Sequence, residues 1–127
     1  MKIGFFEIEG WEEAALKAAF PNDELVLSKE KLCEDKMPSQ TDFDVISIFV
    51  GSQVTEEVLA AFPKLKFLTT RSVGFDHIDC AAAKARGIAV AYVPGYGDNT
   101  VAEYAFGLLL NLTRNLYQAI GEVKMKG

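Results

Sequence analysis

Two kinds of run alternate along this chain. Short apolar, often β-branched stretches fall at residues 2–8, 24–28, 44–50, 66–70 and 88–93. Between most of them, apolar residues recur at helical spacing. Residues 11–20 read as a helix rich in Ala and Glu, stopped by Pro21. Residues 29–40 are polar, contain Pro38, and fit a short helix or a loop. The run DVISIFV at 44–50 is nearly all apolar, which predicts a strand covered on both faces. Residues 55–62 predict a helix that Thr55 can cap, with Glu56 and Glu57 at the positive end of its dipole. Residues 79–86 predict another, ended by Gly87. A long helix begins at Asn99.

Five β/α units of this kind predict an α/β fold: a flavodoxin-like, doubly wound, parallel five-stranded sheet, followed by a long C-terminal helix. Ligands of such sheets bind beyond the carboxyl ends of the strands. That singles out the loops at 7–10, 51–54, 71–79 and 94–99.

Composition narrows the partners. A chain of 127 residues, half of them hydrophobic, can bury a real core. A net charge of −5 argues against nucleic acid or an anionic membrane surface. The longest nearly apolar stretch, 105–112, is interrupted by Asn111 and is too short to cross a bilayer. The first residues lack a signal-peptide layout, so a soluble cytoplasmic protein is expected. Cys33 and Cys80 form no C-x-x-C pair and are expected to be free, buried thiols, with no metal site.

The loops exclude several chemistries. A flavodoxin-type phosphate site after the first strand needs Ser, Thr and Gly, whereas here Glu7, Glu9, Glu12 and Glu13 would repel a phosphate. A phospho-receiver needs an Asp ending the third strand and a Lys ending the fifth; Val50-Gly51-Ser52 and Tyr92-Val93-Pro94 stand there. Gly95-Tyr96-Gly97 imitates a dinucleotide-binding turn. However, Thr100 takes the third glycine position and Asp98 puts negative charge where a pyrophosphate would sit. The segment RSVGFDHID, 71–79, reads in two ways. Gly74 and its neighbours can offer backbone N–H groups to a carboxylate, or the segment is a plain βα turn with Asp76 and Asp79 satisfying local donors.

RSVGFDHID, followed by AAAKARGIAVAYVPGYGDNTVAEYAFGLLLNLTRN, resembles the N-terminal region of the D-isomer-specific 2-hydroxyacid dehydrogenases. The order VTEEVL, PKLKFL, RGIAV, VPGY, NTVAE agrees, and the details at 71–74 and 94–96 are most similar to the D-lactate dehydrogenase branch. The resemblance implies reduction of a small 2-oxo acid to a D-2-hydroxy acid by hydride from NAD(H) or NADP(H). It implies a flavodoxin-like substrate domain, here 1–98, then a hinge and the first helix of a Rossmann cofactor domain, 99–127. It places the N–H groups of Val73 and Gly74 on the substrate carboxylate. Tyr96 resembles a tyrosine that meets the substrate, or is a surface loop residue. Thr100 and Val101 match positions at the nicotinamide end of the cofactor, or form an ordinary first helical turn.

The family's catalytic arginine belongs to the cofactor domain, so Arg71 is expected to pair with a nearby acid instead. Its proton-donating histidine lies far downstream, so His77 is not taken as the acid. No catalytic residue is expected among the 127, and the chain is expected to be truncated and inactive alone. Val101, Ala105, Leu108, Leu109, Leu112, Leu116, Ile120 and Val123 form one apolar stripe; Ala102, Phe106, Leu110 and Tyr117 form a second. Two stripes on one helix predict a homo-oligomer through 101–123. The alternative is a free-standing, non-catalytic binding or scaffold module with the same fold.

Overall fold

A computed structural model describes residues 1–126. The chain divides into two compact units, Met1–Pro94 and Gly95–Gly127.

The first unit holds β1 (Lys2–Phe5), α1 (Glu12–Ala19), β2 (Glu24–Leu27), β3 (Val45–Ile48), α2 (Glu56–Ala60), β4 (Phe67–Thr70), α3 (Cys80–Ala85) and β5 (Ala89–Ala91). All neighbouring strands pair in parallel, in the order β2-β1-β3-β4-β5. This is the flavodoxin-type doubly wound order, whose switch point lies between β1 and β3. The predicted α/β class and five-stranded sheet are therefore correct.

The central strand follows its sequence. Ile46, Ser47 and Ile48 are buried, as the run DVISIFV requires of a strand sandwiched by helices. On one face of the sheet Phe43, Ile46, Ile48, Leu59, Phe62 and Leu68 pack into the larger core cluster. On the other, Ile3, Phe5 and Ile8 pack with Leu16 and Phe20 of the α1 region. Gly4 sits on β1 because Phe43 and Phe6 leave no room: a Cβ there would lie 3.1 Å from a ring carbon of each. Thr55 caps α2 through the N–H of Val58, 3.4 Å, and Asp79 caps α3 through the N–H of Ala82, 2.8 Å. Gly87 takes φ +72° just after α3, the conformation expected of a C-terminal stop.

Of the two readings of residues 29–40, a short helix or a loop, the structure shows the loop, with an isolated antiparallel bridge between Cys33 and Lys36. Two expectations change. The cysteines are free but not both buried: Cys33 is half-buried and Cys80 exposed at the start of α3. The long C-terminal helix is two helices, α4 (Asp98–Arg114) and α5 (Leu116–Lys126). Asn115 between them adopts a left-handed conformation, φ 49°, which Asn tolerates better than most residues. The Asn111 side chain then accepts the N–H of Tyr117, 2.9 Å, capping the new start. The first apolar stripe is divided at this break.

Candidate functional site at the carboxyl ends of the strands

The loop after β4 is built from the inside outward. Arg71 N–H donates to the Ile48 carbonyl, 2.9 Å, prolonging the pairing of β4 with β3. Ser72 is buried, and its carbonyl accepts Val93 N–H, 3.0 Å, from beyond β5. Farther on, Val54 N–H donates to the His77 carbonyl and Asp79 N–H to the Val54 carbonyl, each at 2.8 Å. Residues 73–76 thus lie between the two anchored ends of the loop, where the Phe75 carbonyl accepts Ile78 N–H, 3.0 Å.

A line of polar side chains holds this loop from below. Ser72 Oγ donates to the Gly74 carbonyl, 2.7 Å. The single hydroxyl proton of Ser72 is then used, so the Thr70 hydroxyl donates to Ser72 Oγ, 2.5 Å, and His77 Nε2–H donates to Thr70 Oγ1, 3.2 Å. The Gly74 carbonyl is drawn toward the protein. Among the described residues, no protein acceptor takes the N–H of Val73 or of Gly74. Space over Gly74 is open: a Cβ there would meet only Asp76 Oδ2, at 3.9 Å. Two adjacent donors without partners suit a planar carboxylate. Asp76 is exposed, so water weakens its repulsion of an anion here.

Arg71 is not offered to a ligand. Its Nη1 donates to Ser47 Oγ, 3.1 Å, and its Nη2 to the carbonyls of Phe6, 3.0 Å, and Glu7, 2.8 Å. Its Nε lies 3.8 Å from Glu12 Oε1, the acid partner expected, and the guanidinium lies 5.8 Å from the centre of the Phe49 ring. Burial lowers its pKa, opposed by Glu12 and Glu7. The residue ties the ends of β1, β3 and β4 together. His77 likewise serves the polar line beneath the loop.

The other singled-out residues lie in the second unit. Gly95, φ +73°, makes the turn before α4, and Tyr96 there is 63% exposed. Thr100 and Val101 stand in the first turns of α4, both exposed. Sequence reasoning missed the polar line of Thr70 and Ser72, which looks like ordinary strand-end composition. It also missed Glu7, whose carboxylate reaches from the end of β1 to the loop after β3. The signal was a Gly-Ser pair at the end of a buried strand, facing a strand-end acid.

The chain matches the family described as D-isomer specific 2-hydroxyacid dehydrogenase, catalytic domain, over residues 10–125. It is 40% identical over 86 residues to a glyoxylate reductase of Thermofilum pendens, covering 68% of this chain and 25% of that protein. It is 29% identical to a 2-hydroxyacid dehydrogenase homolog of Zymomonas mobilis, covering 98% of this chain and 39% of that one. The crystal structure of D-lactate dehydrogenase from Aquifex aeolicus, complexed with NAD and lactic acid, superposes with a TM-score of 0.85 at 33% identity. That match covers 97% of this chain and 37% of the other. The chain therefore spans two-fifths or less of the length of these relatives. An anchored strand-end loop, a parallel 2-1-3-4-5 sheet and these matches agree: the chain belongs to the D-isomer-specific 2-hydroxyacid dehydrogenase family.

Proposed function

We propose that these residues form the substrate-binding portion of an NAD(P)-dependent D-2-hydroxyacid dehydrogenase, which reduces a small 2-oxo acid by hydride transfer. The observation that carries the reading is the pair of N–H groups at Val73 and Gly74 without a protein acceptor among the described residues, in a loop whose Gly74 carbonyl is held by Ser72. They hold the substrate carboxylate, and Tyr96 adds a hydroxyl contact from its own turn.

The nicotinamide cofactor supplies the hydride when bound. The chain's own residues suit one end of it only. Thr100 and Val101 offer a hydroxyl and an apolar side chain on the exposed start of α4, which fits the nicotinamide end. Asp98, in the first turn of the same helix, disfavours the anionic pyrophosphate there. The 127 residues contain no G-x-G-x-x-G run. We therefore assign NAD(H) or NADP(H) binding chiefly to protein beyond these residues, and expect no turnover from the 127 residues alone. The exposed apolar side chains of α4 and α5, among them Leu109, Leu112 and Ile120, support self-association through 101–123.

The test is an amide-resolved NMR titration with oxamate, an unreactive 2-oxo acid analogue. The reading predicts saturable shifts centred on Val73 and Gly74. Shifts centred elsewhere, or none at those two amides, would overturn it. Sedimentation at several concentrations tests the association; a monomer at all of them would refute that part.

A further inference from the structure

The crevice between the ends of β1 and β3 is the switch point of this sheet, where doubly wound folds of this strand order offer ligands a site. Here the backbone builds an anion cradle. The N–H groups of Phe49, Gly51 and Ser52 converge on one carboxylate, that of Glu7. Oε1 accepts from Phe49 N–H at 3.1 Å, from Ser52 N–H at 2.9 Å and from the Ser52 hydroxyl at 2.5 Å. Oε2 accepts from Gly51 N–H at 2.7 Å. Four donors on one acid are what a bound phosphate or carboxylate would receive.

The chain goes to some cost to put Glu7 there. Its backbone is left-handed, φ 57°, which is unfavourable for Glu. Arg71 holds its carbonyl, and Gly51 leaves room for the carboxylate in this position: a Cβ there would lie 2.6 Å from Glu7 Oε2, so the carboxylate would have to shift. Ser52 Oγ also accepts Leu32 N–H, 2.9 Å, so the cradle is fixed from behind.

We infer that Glu7 is a specificity-determining residue: a built-in anion that fills the switch-point cradle and bars phosphate-bearing acids from it. The same bonds hold Phe49 beside Arg71. The carboxylate of a small, unphosphorylated acid is then left with Val73 and Gly74; this last clause alone rests on the proposed function.

Glu7→Gly removes the filler and relaxes the left-handed backbone, so the variant can fold with the donors open. Inorganic phosphate is the probe, at constant ionic strength. In the native chain, phosphate leaves the amides of Phe49, Gly51 and Ser52 unmoved. In Glu7→Gly it shifts them saturably, and the unfolding midpoint rises with phosphate concentration. Glu7→Asn is the second variant, should Glu7→Gly not fold, because Asn accepts the left-handed conformation and is too short and uncharged to fill the cradle. Saturable phosphate shifts at these amides in the native chain would overturn the inference. So would no response in a folded variant. Oxamate shifts at Val73 and Gly74 are read in the same samples, so failure of the carboxylate seat is distinguished from failure of the cradle.

Discussion

Replacing Ser72 by Ala tests the physical basis of the loop after β4. Ser72 is 3% exposed and makes two side-chain hydrogen bonds, to Thr70 and to the Gly74 carbonyl. Each contributes about 1 kcal/mol net, and Gly74 is exposed enough for water to take over its carbonyl, so the loss is about 2 kcal/mol. Thr70→Val, at a position with 0% exposure, removes the bonds to Ser72 and His77 and costs about 1–2 kcal/mol. The Thr70–Ser72 bond is counted in both variants but lost only once. The double variant is therefore less destabilised than the sum by about 1 kcal/mol. Trp11, the only tryptophan, is 79% exposed and a weak reporter of unfolding. Urea unfolding is best followed at amide resonances of the Met1–Pro94 unit, which also keeps the second unit out of the measurement. Additive losses, with coupling below about 0.3 kcal/mol, would refute a connected polar line. The function follows the same bond. With the Gly74 carbonyl released, one charge-assisted hydrogen bond to a carboxylate is lost or weakened, about 1.5–3 kcal/mol, so oxamate affinity falls roughly tenfold or more in Ser72→Ala.

Gly4→Ala forces a methyl to within 3.1 Å of the rings of Phe6 and Phe43, which are 3% and 0% exposed; chemical unfolding should register a loss of about 1–3 kcal/mol. Arg71→Met removes three hydrogen bonds to Ser47, Phe6 and Glu7 while relieving the burial of a charge; the net loss is about 2–4 kcal/mol by thermal unfolding. Arg71→Lys does not restore it, because one ammonium cannot span those acceptors. The Lys2 hydrogen bond holds Asp42 below the ordinary carboxylate range, and the Lys36 bond does the same for Glu30. Folded values are thus depressed, so this stabilisation is complete above the ordinary carboxylate pKa and fades as pH falls through the lowered values. Acid unfolding of Lys2→Met should accordingly show a shallower loss of stability on acidification than the native chain.

Much of the fold is legible because burial imposes periodicity. The apolar run at 44–50 signals a strand covered on both faces, which Val45–Ile48 forms, whereas Phe49 and Val50 beyond it are exposed. Thr55, Asp79 and Gly87 mark helix ends through local backbone preferences that need no tertiary information. The break at Asn115 is less legible: an apolar helical pattern continues past it, and the decisive left-handed turn depends on one Asn capping with another four residues away. The candidate site divides along the same line. A Gly in a strand-end loop suggests open N–H groups, so Val73 and Gly74 can be named from sequence. Glu7 cannot, because its meaning comes from a contact across more than forty residues, with Gly51 and Ser52. In the sequence, the acids of the 7–13 segment read only as charges that would repel a phosphate. The structure adds that one of them, Glu7, is itself the anion in the cradle.

A crystal structure of the chain with oxamate bound tests the central claim most directly. The account predicts the oxamate carboxylate at the end of β4, its oxygens about 2.7–2.9 Å from the backbone nitrogens of Val73 and Gly74. Arg71 stays on Phe6, Glu7 and Ser47. Oxamate seated on the Arg71 guanidinium, or in the 49–52 cradle with Glu7 displaced, would contradict it.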